Sequence, residues 1–462
     1  MHVVIAVLHR PTKPTGVCRH AANLALGLAE RPDVKKVTLV VGKWQAEYFR
    51  SDFCFELPNQ KHDKIHVHSV DCQNRAVSRN LWFLFGLPKL CNQLGADIVH
   101  LSFPCPIVRS RFKSPVVATI HDLYPYEYPE NFGFPQVWFN QLFLRLCIWQ
   151  SDGLSCVSYT TQAKLAEYFG AAIVKKKASV IYNSVEFGEI LPKRPQFVAE
   201  SESFLLCVAQ HRRNKNIELL IHAYARFCQT PKGAENSPAT MLIGGENQNA
   251  AGNTTVTSLL TESKPRSLII VGSSGPETEA IEACIQTLGL QESVLLVSSI
   301  NDEELRWLYQ HCLFFVIASS TEVFCLPLVE ALSLNTQVVY SDIPIFREVV
   351  RGRGISVALD EIPWPEKVDR LSQALSTGLS SSVPEAIEDE RFRRSKTTLQ
   401  YLSFYHSVLC QSKPGLKDTS YSTGDAADIQ SQMSLLRAQN QRSQQAQGNA
   451  QQQVLVSSNA GD

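Results

Sequence analysis

Two glutamates flank a short apolar turn in the stretch STEVFCLPLVEALSLNTQVVYSD, from Ser320 to Asp342. Glu322 and Glu330 have seven residues between them, and Pro327 suits the first turn of a helix, where proline's missing N–H costs nothing. Asn335, which tolerates a left-handed conformation, is expected to end that helix. The spacing fits two carboxylates that hold one ligand, but it fits a solvated helix start with two incidental acids equally well.

The turn between the glutamates can bind an anion through its backbone. The N–H groups around Phe324, Cys325 and Leu326 are predicted to point out of the new helix, with the positive end of its dipole behind them. A diphosphate could bind there, while Glu330, one turn inside the helix, accepts hydrogen bonds from a ribose diol. Glu322 precedes the helix and would lie nearer the group attached to the phosphate.

A second candidate site is the basic loop QHRRNKN, which follows the apolar run FLLCVA. Arg212, Arg213 and Lys215 crowd this loop, and charge-assisted hydrogen bonds to a phosphate favour such a cluster. Asn214 or Asn216 is expected to cap the next helix. A solvated basic turn explains the same residues.

Three further loops follow predicted strands. The glycines of VGSSGP, Val271 to Pro276, indicate either a turn that approaches phosphate or an ordinary tight turn. Gly16 lies just before the first helix, but the loop is not GxGxxG, which removes support for NAD binding. His121 and Asp122 directly follow the predicted strand PVVATI. A single histidine is more often a structural hydrogen-bonding group than a catalyst, although its position at the carboxyl end of a strand favours a function.

Composition narrows the class of protein. The 462 residues are 44% hydrophobic, and 44 Lys and Arg balance 44 Asp and Glu, so nothing predicts long-range attraction to nucleic acid. The thirteen cysteines form no CxxC pair and lie in apolar runs, which is typical of a reducing cytosol. Neither a signal peptide nor an apolar run of about 18 residues is found, so we expect a cytoplasmic protein without a membrane span.

Short apolar strands alternate with helical patterns along most of the chain, which predicts parallel sheets covered by helices. The alternation stops between Ser184 and Ser203 and then restarts, so we expect an α/β protein of two doubly wound, Rossmann-like domains, 1–190 and 191–390, facing across a cleft. A polar insertion at 232–265 and a Gln- and Ser-rich, disordered tail at 411–462 interrupt and end the pattern. Ligands of such sheets bind beyond the carboxyl ends of the strands. The apolar segment WFNQLFLRLCIW is predicted to be a buried core helix, with peripheral contact to a bilayer as the alternative.

Taken together, these stretches resemble a retaining glycosyltransferase of family 4 with the two-domain GT-B fold. The matching stretches run from Met1 to about Cys410 and occur in the family's order: GVCRHAANLALGLA, TIHDLYPYEYPE, CVSYTTQAKLAEYFG, SVIYNSVEF, LLCVAQHRRNKNIELLIHAY, LIIVGSSGPETEAI, INDEELRWLYQHC and TEVFCLPLVEALSLNTQVVYSDIPIFREVV. Residues 391–410 resemble the family's last helix, which packs back on the first domain.

The resemblance implies roles for individual residues. Glu322 would lie near the donor sugar, Glu330 on the nucleotide ribose and Lys215 on the donor diphosphate. His121 would lie near the transferred sugar at the reaction centre, and Gly16 in the loop that reaches the donor phosphate and the acceptor. Residues around Val297 to Asn301 match the loop that meets the base.

The chain departs from the family's pattern at the apolar turn. The family usually has EGFGLP where this chain has EVFCLP, so Val323 and Cys325 replace two glycines. A side chain would weaken donor binding if either position needs a positive φ. Gln210 stands where the family usually has an arginine, and Arg212 or Arg213 could supply that charge instead.

The expected reaction moves a hexose from a nucleoside-diphosphate sugar to a saccharide or lipid-linked acceptor, with retention of configuration, in polysaccharide or glycoconjugate biosynthesis. GDP-mannose is the first candidate donor, since the resemblance is closest to mannosyl and rhamnosyl transferases. No DxD motif occurs, so neither a metal nor another cofactor is needed to explain phosphate binding. A sugar-nucleotide epimerase of the same fold and a non-catalytic partner subunit are the alternatives.

Overall fold

The computed structural model describes residues 1–12, 14–51, 63–187, 191–199, 203–229, 267–380 and 389–412. The predicted insertion at 232–265 and the predicted tail beyond residue 412 lie outside the described residues. The chain divides into two compact units, Met1–Thr398 and Leu399–Asp462. Both sheets belong to the first unit. Of the second unit, the structure describes residues 399–412, which are helical.

The first lobe is built on a seven-stranded parallel sheet with the order β3-β2-β1-β4-β5-β6-β7. Its strands are β1 (His2–Ala6), β2 (Lys36–Gly42), β3 (Ile65–Val70), β4 (Ile98–Leu101), β5 (Val116–Ile120), β6 (Gly153–Cys156) and β7 (Ala178–Val180). Its α-helices are α1 (Gly16–Ala29), α2 (Ala46–Arg50), α3 (Ala76–Leu81), α4 (Leu87–Leu94), α5 (Tyr124–Glu127), α6 (Gln136–Gln150), α7 (Tyr159–Phe169) and α8 (Ala171–Lys177), and a π-helix (Trp82–Gly86) joins α3 to α4.

The second lobe is built on a six-stranded parallel sheet with the order β10-β9-β8-β11-β12-β13. Its strands are β8 (Phe204–Val208), β9 (Ser267–Val271), β10 (Val294–Val297), β11 (Phe315–Ile317), β12 (Val338–Ser341) and β13 (Ile355–Val357). Its α-helices are α9 (Ile217–Gln229), α10 (Thr278–Thr287), α11 (Asp302–His311), α12 (Leu326–Ser333), α13 (Pro344–Val350) and α14 (Trp364–Ser380). The last helix, α15, is Arg394–Ser412.

The strand orders confirm the prediction of two doubly wound lobes. In each sheet the strands are parallel, but the order in which the chain adds them reverses beside the first strand. This reversal lies between β1 and β4 in the first lobe and between β8 and β11 in the second. The loops that leave such neighbouring strands diverge and open a crevice. The loops after β8 and β11 carry the basic and acidic candidates, so the topology brings Lys215 and Glu322 together.

Helix α9 shows how the apolar pattern sets the packing of a helix on its sheet. Ile217, Leu220, Ile221, Tyr224 and Phe227 recur at helical spacing and are all buried against the sheet of the second lobe, as predicted. Clusters of this kind cover both faces of the second sheet and one face of the first. The rigid frame that results holds the loops at the carboxyl ends of the strands.

The two lobes contact each other where the chain passes from one to the other. Glu348 on α13 accepts hydrogen bonds from the backbone N–H groups of Tyr159 and Thr160, at 2.7 and 2.9 Å, and so binds the N-terminus of α7. Phe392 packs against Tyr182, with ring centroids 5.4 Å apart. Electrostatic and aromatic contacts thus fix the relative position of the lobes.

The start of α15 contacts the first lobe. Arg394 pairs with Glu30 and with Glu186, each at 3.0 Å. A Cβ added to Gly27 would lie 2.0 Å from Oγ1 of Thr398, so α1 and this part of α15 are in close contact. The expectation that residues 391–410 as a whole pack back on the first domain stays a prediction.

Helix α6 differs from the prediction of a buried core helix. Leu144, Cys147 and Ile148 are buried, but Trp138 and Trp149 are 56% and 58% exposed. The helix therefore packs one face on the sheet and presents large apolar side chains to solvent on the other. Among the described residues, no helix is both long and apolar enough to cross a membrane.

Candidate functional site

Helix α12 begins after the apolar turn, as the sequence predicts. Cys325 is the residue before the helix and has a φ of 64°, in the left-handed region, while Val323 is not among the residues with positive φ. Of the two positions where the family usually has glycine, only Cys325 therefore meets backbone strain. Asn335 has a φ of 56° just beyond the helix, which confirms its predicted role.

The side chains of the turn point in different directions. Phe324 and Cys325 are buried, and the Phe324 ring packs 6.0 Å from that of Tyr182, so only their backbone can serve a ligand. Leu326 instead reaches the first lobe, since a Cβ added to Gly16 would lie 3.5 Å from its Cδ1. Gly16 and the start of α12 thus face each other across the gap between the lobes.

Lys215 and Glu322 form an ion pair at the bottom of the second lobe's crevice. The Lys215 Nζ donates to Oε1 of Glu322, which also accepts a hydrogen bond of 2.9 Å from the Ser319 hydroxyl. Burial lowers the pKa of Lys215, but the charge of Glu322, its hydrogen bond to the ammonium and the neighbouring thiols of Cys325 and Cys207 together outweigh burial, so the pKa is raised and the ammonium stays charged. Ser319 and Lys215 hold the carboxylate in one orientation.

The basic loop is tied to the loop after β11 by its asparagines. The Asn214 and Asn216 side-chain amides donate to the carbonyl oxygens of Thr321 and Ala318, at 3.0 and 2.9 Å. Asn216 directly precedes α9, and its backbone carbonyl accepts the Leu220 N–H at 3.1 Å, while a cap by the side-chain oxygen of either asparagine stays a prediction. The carbonyls that follow β11 have no neighbouring strand to pair with, and the amides satisfy them.

Arg212 and Arg213 lie on the outer side of the same loop, with exposed side chains. Arg213 begins the 3-10 turn Arg213–Lys215, which turns Lys215 inward. The structure therefore separates the three basic residues: Lys215 joins Glu322, and the two arginines face solvent. Their predicted role at a phosphate stays a prediction.

Glu330 is a buried acid with two partners that the sequence did not suggest. The Tyr309 hydroxyl donates to its Oε2 at 2.9 Å, and Nη1 of Arg19, from the first lobe, lies 3.8 Å from its Oε1. Burial raises the pKa of Glu330, whereas Arg19 and the Tyr309 hydrogen bond act in the opposite direction. Arg19 also pairs with Asp302 at 3.3 Å.

A cavity of about 480 Å³ lies between the lobes beside Glu330. Residues of both lobes line it: Pro14, Arg19, Asn23, Ser184, Val185, Glu186, Phe187, Asn301, Asp302, Leu326 and Glu330. Its volume suits a small polar ligand of nucleotide size. Lys215 and Glu322 are not in this lining. Burial raises the pKa of the Cys325 thiol, and the charges of Glu322 and Glu330 both add to that effect.

Of the loop expected to meet a base, Asn301 reaches the cavity wall. Its side chain accepts a hydrogen bond of 2.8 Å from the backbone N–H of Glu304 and so caps α11. Asp302, the next residue, also lines the cavity and pairs with Arg19. The lining is therefore rich in hydrogen-bond acceptors.

His121 lies at the carboxyl end of the first sheet. Its Nε2 donates to the carbonyl oxygen of Ser102 at 2.9 Å, and burial lowers its pKa to about 4, so the imidazole is neutral at physiological pH. The ring of His20 lies 5.2 Å away in an edge-to-face arrangement. A neutral imidazole can accept or donate hydrogen bonds to a sugar hydroxyl.

Tyr124 joins the two groups of candidates. It follows Asp122, whose carboxylate accepts the Tyr124 N–H at 3.2 Å. Burial raises the pKa of Tyr124, and the charge of Glu322 raises it further, so the phenol lies within electrostatic reach of the second lobe's acid.

The glycines of VGSSGP serve close packing. A Cβ on Gly272 would lie 1.9 Å from the carbonyl oxygen of Ala209, and one on Gly275 would lie 2.2 Å from that of His211. Neither glycine has a positive φ. The loop thus supports the basic loop from behind, in agreement with the structural alternative.

Together, the fold and the crevice define a class of protein: the two-lobed glycosyltransferases with the GT-B fold. The solved Anabaena protein HepE, crystallised with UDP and glucose, has this architecture, with a TM-score of 0.56, 16% sequence identity, and coverage of 88% of this chain and 100% of that one. Such a low identity establishes the fold alone.

The sequence places the chain within that class. Residues 14–188 match Glycosyltransferase Family 4 and residues 192–377 match Glycosyl transferases group 1, and the chain belongs to this family of glycosyltransferases. It is 27% identical over 369 residues to the O-antigen chain mannosyltransferase RfbU of Salmonella typhimurium, which covers 78% of this chain and 88% of that protein. It is 38% identical over 98 residues to a GDP-mannose:cellobiosyl-diphosphopolyprenol alpha-mannosyltransferase of Xanthomonas oryzae, which covers 21% of this chain and 26% of that protein.

Proposed function

We propose that the protein transfers a hexose, with mannose as the first candidate, from a nucleoside-diphosphate sugar to a hydroxyl group of a saccharide or lipid-linked acceptor, with retention of configuration. The observation that carries the proposal is the buried Lys215–Glu322 pair beside the start of α12, with Glu330 in the adjoining cavity. In this proposal, Lys215 and the N-terminus of α12 bind the diphosphate, and Glu330 binds the ribose next to it in the nucleotide sugar.

The leaving diphosphate gains negative charge as the bond to the sugar breaks. Lys215 and the backbone N–H groups at the start of α12 are already oriented, so they stabilise that charge without reorganisation. Glu330 accepts hydrogen bonds from the ribose diol. Burial raises the pKa of Glu330, while Arg19 and the Tyr309 hydrogen bond lower it. These two partners therefore help to keep the carboxylate ionised, which is the form that accepts hydrogen bonds from the ribose.

The transfer breaks the bond between the anomeric carbon and the donor phosphate oxygen and forms a bond from that carbon to the acceptor oxygen on the same face. The acceptor's proton passes to the departing diphosphate oxygen, which explains why no separate nucleophile is required. Neutral His121 orients the transferred sugar by hydrogen bonding, and Glu322, held by Lys215 and Ser319, is placed near the sugar. Arg212, Arg213 and Gly16 approach the donor from the surrounding loops.

GDP-mannose is proposed as the donor because two relatives carry mannosyltransferase in their names, one of them with GDP-mannose. Polysaccharide or glycoconjugate assembly is the corresponding process. We place the reaction in the cytoplasm, since the described cysteines are free thiols, as is usual in a reducing compartment.

The test is a thermal-stability screen of the purified protein with GDP-mannose, other GDP-, UDP- and dTDP-sugars, and the free nucleotides. Only ligands that bind the folded state raise the midpoint, and we expect GDP-mannose to raise it most. Incubation with GDP-mannose and a lipid-linked saccharide should then release GDP only when the acceptor is present. Failure of every nucleotide sugar to bind, or release of an epimerised nucleotide sugar without acceptor, would contradict the proposal.

A further inference from the structure

The outer face of the first lobe carries an exposed apolar stripe on α6. The side of α6 opposite its buried residues carries a stripe at helical spacing, formed by Trp138, Leu142, Arg145 and Trp149. The two tryptophans are 56% and 58% exposed. Phe134, just before the helix, is 91% exposed. Large aromatic side chains concentrated on one solvent-facing stripe mark an interaction surface.

A second stripe lies on the helix that joins β3 to β4. Val77, Leu81 and Phe85 recur every four residues and are 71%, 52% and 55% exposed. The crossovers β3 to β4 and β5 to β6 run in the same direction along the sheet, so both stripes lie on the same face of the lobe.

Two hydrogen bonds connect the helices that carry the stripes. The N–H of Arg109 donates to the Gln150 side chain at the end of α6 at 3.0 Å, and Arg111 donates to the carbonyl oxygen of Leu84 at 3.1 Å. The Arg111 guanidinium also lies 4.2 Å from the ring centre of Phe85. The apolar stripes and the arginines between them therefore form one surface.

The charge of this surface is positive. Helices α3, α4, α6 and α8 contain no Asp or Glu, and their charged residues are Arg79, Lys89, Arg145, Lys175, Lys176 and Lys177. Helix α7 adds one lysine and one glutamate. Lys177 donates to the carbonyl oxygen of Trp149 at 3.1 Å, which places the basic end of α8 beside the exposed tryptophan.

We propose that this surface, formed by Phe134, Trp138, Trp149, Val77, Leu81 and Phe85 with the surrounding basic side chains, docks on the headgroup region of an anionic lipid bilayer. Tryptophan prefers that region because its ring is apolar and its N–H is polar. Lysine and arginine add attraction to anionic lipids. Exposed aromatics flanked by an excess of basic over acidic side chains match the composition of a peripheral membrane surface.

Docking there would present the crevice to a lipid-linked acceptor. Helix α5 follows the His121–Asp122 loop at the carboxyl end of β5, and a short 3-10 turn, Pro129–Asn131, connects it to Phe134 and α6. In this respect the inference rests on the proposed transfer reaction and specifies where its acceptor is met. The binding of the protein to lipid can nevertheless be measured without donor or acceptor.

The test is flotation of the full chain with vesicles of phosphatidylcholine alone and of phosphatidylcholine mixed with phosphatidylglycerol. We expect binding to the anionic vesicles only. Lys175→Gln with Lys176→Gln should weaken it by about fivefold per lysine, and Trp138→Ser with Trp149→Ser by about tenfold or more. The matched controls are Lys35→Gln with Lys193→Gln and Trp364→Ser, which remove exposed residues outside the surface and should leave binding unchanged.

Equal recovery of wild type and both surface variants with anionic vesicles would overturn the inference. So would sedimentation of the wild type as a dimer that becomes a monomer in the tryptophan variant, since a second copy would then cover the surface. Donor-induced thermal stabilisation should persist in both surface variants. If donors do not stabilise the wild type, the proposed transfer reaction is contradicted, but the lipid-binding result still decides the proposal about the surface.

Discussion

Arg19 of α1 and Glu330 of α12 face each other across the gap between the lobes, with Nη1 and Oε1 3.8 Å apart. Glu330 is buried and Arg19 is partly exposed, so the contact joins a cation of one lobe to a buried acid of the other. The proposed ribose-binding carboxylate is therefore kept ionised in part by the lobe that does not carry it.

Removal of Arg19 should make donor binding more sensitive to pH. Without the guanidinium, burial raises the pKa of Glu330 further, and the protonated carboxyl accepts hydrogen bonds poorly. We expect calorimetric titration of Arg19→Ala to give a greater loss of donor affinity near pH 6 than near pH 8, by about tenfold between the two. Arg19→Lys is the conservative control, and a loss in Arg19→Ala that is equal at both pH values would contradict the expectation.

Substitutions at the crevice should separate binding from turnover. Lys215→Ala and Glu330→Ala each remove a charged contact to the donor, so donor affinity should fall by at least about tenfold. His121→Ala should keep donor affinity and lower kcat by about a hundredfold, because its imidazole acts on the transferred sugar. Donor titration and initial rates distinguish the two outcomes. The thermal midpoint without ligand shows whether a variant also affects folding. Unchanged transfer rates in all three variants would refute the assigned roles.

The sequence predicts what depends on local pattern. Alternating apolar runs give the parallel sheets, since the period of the pattern fixes which face is buried. Pro327 and Asn335 give the start and end of α12, because each residue restricts its own backbone. The positions of Lys215 and Glu322 follow from the strand order, which brings the loops after β8 and β11 together.

The sequence does not reveal partners that come from distant parts of the chain. Tyr309 and Arg19 carry no local signal that either will contact Glu330. Asn214 and Asn216 carry no local signal that their amide groups will donate to carbonyl groups of the loop after β11. The sequence also does not reveal which face of α6 is exposed, because large apolar residues lie on both its buried and its solvent-facing sides.

Cys325→Gly should relieve backbone strain. The φ of 64° places Cys325 where a side chain costs about 1 to 2 kcal/mol, and glycine does not have that cost. Alanine is the matched control, since it also removes the buried thiol but keeps the Cβ. We expect Cys325→Gly to exceed Cys325→Ala by about 1 kcal/mol in free energy of unfolding, with donor affinity equal to or tighter than wild type. Greater stability of the alanine variant, or a large loss of affinity with glycine, would assign the thiol a role of its own.

Gly272→Ala should destabilise the second lobe. The added methyl group would lie 1.9 Å from the carbonyl oxygen of Ala209. Both backbones directly follow paired strands and are held by hydrogen bonds, from the Ala209 N–H to Val271 at 2.8 Å and from the Gly272 N–H to Val297 at 2.9 Å. We expect a loss of about 2 kcal/mol or more in urea unfolding. Gly16→Ala is the control, because its nearest contact at 3.5 Å is ordinary van der Waals distance. Equal stability of the two variants would mean that the VGSSGP loop can move away from the basic loop.

Buried histidines should make the protein lose stability in mild acid. Burial lowers the pKa of His100 to about 3 and that of His121 to about 4, and it lowers the pKa of His20 well below its ordinary value of 6.5. The unfolded chain binds protons at these side chains below about pH 6.5 while the folded protein does not, so the free energy of unfolding falls as the pH drops from about 6.5 towards 4. Each such histidine contributes a slope of up to about 1.4 kcal/mol per pH unit in that window.

His100→Gln should therefore reduce the pH dependence of the free energy of unfolding by the contribution of one histidine. Urea unfolding near pH 7 and near pH 5 measures this difference, whatever the effect of the substitution on stability at neutral pH. Substitution of the exposed His68 by Gln is the control, and an unchanged slope in His100→Gln would show that His100 is protonated in the folded protein.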